Sequence, residues 1–365
     1  MKFKKICFMA VAAAVVFTAG CSKKDPLSEP PVNTDSAVAE TSETATEAAA
    51  EPSQPEGFSG INPLTGESGY KDSANGKRPV AVMVNNLAAA LPQYGIEQAD
   101  IIYELPVEGG ITRLMAVYAD YTSVPDVCSV RSCRYYYPLL CLGMDAIYCH
   151  WGSDQTIALE TLNRTGIDHL DGAYDSSIFL RDEARAASYA SEHTGYLKGS
   201  ELPAVIEAKG FRTDRNENNQ GLYFNFAPEG EKAAPAEMTA DNVIVNFSDA
   251  YFSTFQYDEQ SGAYLKFHSG NPHVDGVTGN QLGFENVLIL QTNVYLRDNG
   301  YLLDVELSGG TGYYISNGGA QSITWEKNGE SMPIQLYAAD GNPLLMNVGE
   351  SYIGIIGGEK TISIT

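Results

Sequence analysis

The residues most able to do chemistry fall between positions 104 and 185. Glu104 and Glu108 lead into a Gly109-Gly110 corner, and Arg113 follows it; Arg131, Ser132 and Arg134 come next, then His150, then Arg181, Asp182 and Arg185. Arginines beside a helix N-terminus can hold a carboxylate or phosphate, because the guanidinium fork and the unsatisfied amides both favour anions. Two carboxylates near a histidine could also exchange protons with a substrate. The competing role for the same residues is an internal network in which Glu104 and Glu108 pair with arginines to hold strands and helix together. Nucleophilic catalysis has little support, since Ser132 lies in no Gly-x-Ser-x-Gly elbow. Asp168, Asp171 and Asp175 with Gly172 fail the spacing of a calcium loop and read as a solvated turn. Asn271 to Gly276, with His273 and Asp275, also reads as a turn. No metal or cofactor is expected. The balance favours a ligand- or partner-binding protein over an enzyme. The alternative is a cell-wall or carbohydrate-directed hydrolase using Glu104, Glu108 and His150, which needs two carboxyls about 5–10 Å apart across one cleft.

The elements that must position these groups are legible from periodicity. Short apolar runs at 78–85, 99–107, 111–118 and 145–150 predict strands, with a hairpin or bulged turn at the Glu-Gly-Gly corner. Helices are predicted at 132–142 with Ser132 as N-cap, at 153–162, and at 201–209 ended by Gly210. After a linker at 228–235 come alternating runs at 242–247, 262–267, 286–291, 302–307, 312–315 and 322–326, punctuated by Gly, Asn and Asp, which suit a β-sandwich or barrel. The expected fold class is α+β, with a mixed α/β domain at 58–230 followed by a smaller β-rich domain at 238–365.

The amino-terminal segment points to export. Lys2, Lys4 and Lys5 precede an apolar stretch too short for a lasting transmembrane helix, which ends in Thr18-Ala19-Gly20-Cys21. This predicts a lipoprotein signal peptide over 1–20 and an acylated Cys21 that inserts in the bilayer. Residues 21–57, rich in Ser, Thr, Glu, Ala and Pro, bury too little apolar surface to fold and are predicted to be a disordered tether. The expected location is the outer face of the cell membrane, with an unknown envelope ligand or protein as partner. The formal net charge of −23 opposes nucleic acid binding. Cys128, Cys133, Cys141 and Cys149 fit one or two disulfides, paired 128–133 or 141–149, about as well as they fit buried free thiols.

The motifs at 62–66, 78–86, 99–104 and 107–114, with Val130-Arg131-Ser132, Arg134, Asp145-Ala-Ile147 and His150, together resemble the YerB-like lipoprotein family. Positions 283–290, 310–312, 325–327, 341 and 347–349 resemble that family's carboxyl-terminal domain. The resemblance implies two domains on a lipid anchor and names no reaction. The chain departs from the pattern at Cys128 and Cys133. It departs again after Arg185, where Ser188-Tyr189-Ala190 stands in place of the Pro-His-Asn that the family tends to show; His193 is nearby but displaced. If the signal reading holds, Cys21→Ala leaves the protein unprocessed or free of membranes; normal maturation and membrane fractionation of that variant would exclude a lipid anchor.

Overall fold

Both faces of the central strands are buried, and this decides the architecture. In a computed structural model describing residues 57–365, every residue of Val80–Asn85 is buried. The predicted signal peptide, Cys21 and the tether up to residue 56 lie outside the described residues. The principal strands are β1 (Val80–Asn85), β2 (Ile101–Val107), β3 (Ile111–Tyr118), β4 (Ile147–His150), β5 (His169–Asp171), β6 (Asn242–Asn246), β7 (Phe252–Asp258), β8 (Ala263–His268), β9 (Asn286–Thr292), β10 (Gly309–Ser316), β11 (Gly319–Glu326), β12 (Ser351–Gly357) and β13 (Ile362–Ile364). The helices are α1 (Tyr136–Met144), α2 (Ile157–Thr165), α3 (Glu183–Ala186) and α4 (Leu202–Lys209). Among the described residues no helix follows Asn219.

One mixed, 11-stranded sheet runs in the order β11-β10-β9-β12-β2-β3-β1-β4-β5, extended by short strands at the β11 end. It draws on both predicted halves of the chain. The seam is β12, which pairs in parallel with β9 on one side and β2 on the other; Ser351 lies opposite Ile101 and Asn286. Strands covered on both faces read as continuous apolar runs. Val80, Val82 and Val84 of β1 face one core cluster, while Ala81 and Met83 face the other. The first cluster is closed by a second, antiparallel sheet, β8-β7-β6-β13, which contributes Val243, Phe255 and Tyr264. The second is closed by α1 and α2, through residues such as Tyr136, Leu140 and Leu162.

Two sequence expectations are corrected here, both at helix starts. Helix α1 starts at Tyr136, and Ser132 does not cap it. The Arg131 amide donates to Met83 O at 3.1 Å and the Cys133 amide to Gly152 O at 2.9 Å, so this stretch is pinned to the sheet before the helix begins. Helix α2 likewise starts at Ile157, because the Asp154 carboxylate takes the Thr156 and Ala158 amides ahead of it. The four cysteines are buried free thiols. Cys141 packs in one core cluster and Cys149 in the other, with the sheet between them. Cys128 Sγ lies 4.0 Å from the His193 carbonyl, and Cys133 packs in the cluster closed by α1. Burial pushes the Cys128 and Cys133 thiols up to about 12, which keeps them protonated.

The parallel strands carry an electrostatic cost at their amino ends. Asp100, Glu350 and Glu285 each immediately precede one of the adjacent strands β2, β12 and β9. Burial and the neighbouring Glu285 and Asp100 push the Glu350 carboxyl up to about 9; burial pushes Asp100 up to about 6. An acid whose pKa is raised on folding holds its proton more tightly in the folded state. Stability therefore falls as pH rises from the ordinary value of 4.5 through about 9. Glu350→Gln, which imitates the protonated acid, is expected to raise the thermal midpoint by roughly 5 °C at pH 8 and hardly at all near pH 5. Equal shifts at both pH values would show that the carboxylate carries no such cost.

Candidate functional site

Glu104 occupies a position in β2 where alternation calls for an apolar residue. Ile101, Tyr103 and Leu105 face α1, whereas Ile102 and Glu104 face the second sheet. Opposite, Tyr264, Lys266 and His268 form the buried set of β8. Glu104 and Lys266 are both fully buried, and the Lys266 ammonium stands 3.3 Å from Glu104 Oε2. Tyr352 O–H donates to the same oxygen at 2.8 Å, and Thr112 O–H donates to Oε1 at 2.6 Å. Asn86 Nδ2 reaches Oε1 at 2.9 Å, and Lys266 also donates to Ser253 Oγ at 2.9 Å. Burial works against both charges, but the Lys266 ammonium and these donors hold the Glu104 carboxyl below its usual range.

The cation orients its surroundings. An ammonium only donates, so His273 Nδ1, 3.3 Å from Lys266 Nζ, must accept. The His273 proton then sits on Nε2 and is given to Gln93 Oε1 at 2.9 Å. Gln93 Nε2 in turn donates to the carbonyl of Asn85 at 2.8 Å. Burial and the Lys266 charge push His273 well below the ordinary histidine value, so it stays neutral. The sequence reads His273 as part of a turn and gives Lys266 no role. The period-2 set Tyr264, Lys266, His268 was the one available signal.

The other predicted site residues divide into separate groups. Glu108 is locked onto Arg134 through both carboxylate oxygens, at 2.8–3.0 Å. His150 is fully buried: its Nδ1–H donates to Gly152 O at 2.9 Å, so its Nε2 accepts from His169 Nδ1–H at 2.9 Å. Burial pushes its pKa down to about 4 despite the nearby Asp171 carboxylate. Asp182 is spent as the N-cap of α3, taking the Ala184 and Arg185 amides. Arg181 lies over the Trp151 ring at 4.4 Å and donates to the Ser191 carbonyl. Among the described residues, no group of three or more His, Cys, Asp or Glu is placed to hold a metal.

Arg113, Arg131, Ser132 and Arg134 do come together. Arg113 Nη1 donates to the Ser132 carbonyl at 2.6 Å, yet Arg113 is only 7% exposed and has no carboxylate within ion-pair distance among the described residues. Burial, then the neighbouring Arg134 and Arg131, push its pKa down to about 10. Arg131 makes a long contact to the Glu192 carbonyl, at 3.3 Å; burial depresses it, the Glu192 carboxylate opposes this, and Arg134 and Arg181 add to the depression. Ser132 turns its hydroxyl toward Gly152. The arrangement is a half-buried cationic face on an acidic protein.

The geometry defines a two-part, strand-rich protein whose halves are joined by a buried ion pair. The chain belongs to the family described as "Protein of unknown function (DUF3048)", matching its N-terminal domain over residues 64–212 and its C-terminal domain over 243–353. It is 30% identical over 301 residues to "Putative lipoprotein YerB" of Bacillus subtilis (strain 168), covering 80% of this chain and 85% of the relative. It is also similar to the crystal structure of YerB protein from Bacillus subtilis, with a TM-score of 0.71 and 25% identity, covering 83% of this chain and 99% of the other.

Removing one partner from a buried ion pair strands the other charge. Glu104→Gln is expected to cost about 3–5 kcal/mol in urea unfolding. Glu104→Leu combined with Lys266→Met should recover most of that loss. Additive losses in the double variant would show that the two side chains do not act as a pair.

Proposed function

We propose that this protein is a lipid-anchored envelope protein whose folded part binds an anionic group of its ligand or partner at the Arg113–Arg131 face. One observation carries the reading. In a chain with a formal net charge of −23, Arg113 is buried beside Arg131 and Arg134 without a carboxylate of its own. Like charges held together in a poorly hydrated place are costly, and an oxyanion would offset that cost while taking two guanidinium forks. Anchoring through an acylated Cys21 would present this face to molecules of the outer envelope, consistent with the lipoprotein description of the Bacillus subtilis relative.

The hydrolase alternative loses its chemistry on distances already given. Glu104 has no exposed surface and is held by Lys266, and Glu108 is held by Arg134. His150 has both ring nitrogens engaged.

Inorganic phosphate and acetate, titrated at constant ionic strength, serve as probes. A ligand that binds only the folded state raises stability with concentration, by about 2.7 kcal/mol at a hundred times its dissociation constant. Stabilisation should saturate in the wild type and be lost in Arg131→Gln and Arg113→Gln. Equal stabilisation of all three proteins would mean a general salt effect, and the arginine face would not be the site.

A further inference from the structure

Strands β9, β12 and β2 run parallel and side by side, so their carboxyl ends finish along one edge of the large sheet. A cleft of about 260 Å³ opens there, and the segments leaving all three strands line it. Pro106 to Gly110 leaves β2, Gly357 to Lys360 leaves β12, and Val294 to Leu296 leaves β9. Chain segments diverge beyond the carboxyl ends of parallel strands, and the space left between them is where ligands gather in open sheets. This cleft is built from both family domains and is separate from the arginine face.

Its chemistry is specific. Val107, Ile111, Phe247, Val294, Leu303 and Ile356 make the walls. Tyr295 and Tyr301 contribute to the lining while remaining 48% and 65% exposed, large apolar rings left to water. The Ser248 hydroxyl is already spent, donating to Gly110 O at 2.6 Å. Every charge in the lining has an opposite partner: Glu108 is held by Arg134, and Lys360 lies 3.4 Å from Glu359. On a chain this acidic, the recess is electrically balanced and offers no unpaired charge to an incoming ion.

We propose that this cleft takes an uncharged aromatic ring, carried by a small molecule or by a side chain of a peptide. A dry apolar cavity of about 150 Å³ is enough to hold benzene, so the cleft has room for a ring of one or two cycles. Phe247, Tyr295 and Tyr301 offer the edge and face contacts that aromatic pairs favour. A charged ligand would lose its water to a lining with no counter-charge free to receive it.

Ligand-observed NMR on the full chain, with indole and N-acetyl-tryptophanamide as probes, tests this. Both should broaden in the presence of the wild type. Indole bound far more tightly than the amide would point to a small molecule, and the reverse to a peptide. Val294→Trp, which fills the cleft with a ring of its own, should weaken both probes by about tenfold or more, and Tyr301→Ala by a smaller factor. Thermal midpoints of both variants should stay near that of the wild type. The proposal is overturned if neither probe binds at millimolar concentration. It is equally overturned if a folded Val294→Trp binds them as the wild type does, or if cyclohexanol and benzoate bind as well as indole.

Discussion

The Glu104–Lys266 pair is the interaction on which the rest of the structure depends. Glu104 comes from the amino-terminal family domain and Lys266 from the carboxyl-terminal one, and neither has any exposed surface. An unpaired charge at such depth would be very costly, so the two sheets can pack only in the registration that brings these groups together. Hydrophobic contact alone would tolerate sliding of β7 and β8 over β2 and β12. The ion pair does not, because its hydrogen bonds to Thr112, Ser253 and Tyr352 come from three further strands. Specificity of packing is the contribution most clearly assigned to it.

That registration sets up both candidate binding regions. Glu104 and Glu108 lie on the same strand and its turn, so fixing the inner carboxylate also fixes the Gly109-Gly110 corner where the outer one meets Arg134. Arg134 of that salt bridge neighbours Arg113 in the cationic face, and Glu108 lines the cleft at the strands' carboxyl ends. Two carboxylates that could have been an acid–base pair are instead an internal fastener and a surface hinge pin.

Much of the amino-terminal half was legible in the sequence. Strand β3 and the Glu-Gly-Gly corner fall where apolar runs and glycines place them, because a buried strand and a tight turn each demand particular residue types. Six carboxyl-terminal strands fall on alternating runs, but β7 at 252–258 and β12 at 351–357 do not stand out in the sequence, and no strand's partner does. Nothing local in residues 351–357 says that this segment pairs with β2 on one side as well as with β9 on the other, since strand pairing is decided by long-range packing. Charged residues misled for the same reason. Glu104 and His150 carry polar chemistry in type and bury it in place, and Lys266 and His273 have neighbours only once two distant sheets meet. Among the cysteines, spacing allowed a 141–149 bridge that the sheet running between the two side chains forbids.

The position of β12 has a consequence for biogenesis. It is an interior strand of the large sheet, yet Ser351 pairs with Ile101, about 250 residues earlier in the chain. If the protein crosses the membrane amino end first, β2 emerges long before its permanent neighbour does. Through that interval one flank of β2 presents open backbone hydrogen-bonding groups, the kind of edge that invites pairing with the wrong chain. Completion of the large sheet therefore waits on β12, and a polypeptide cut short of it keeps most of its strands but has an unfinished interior.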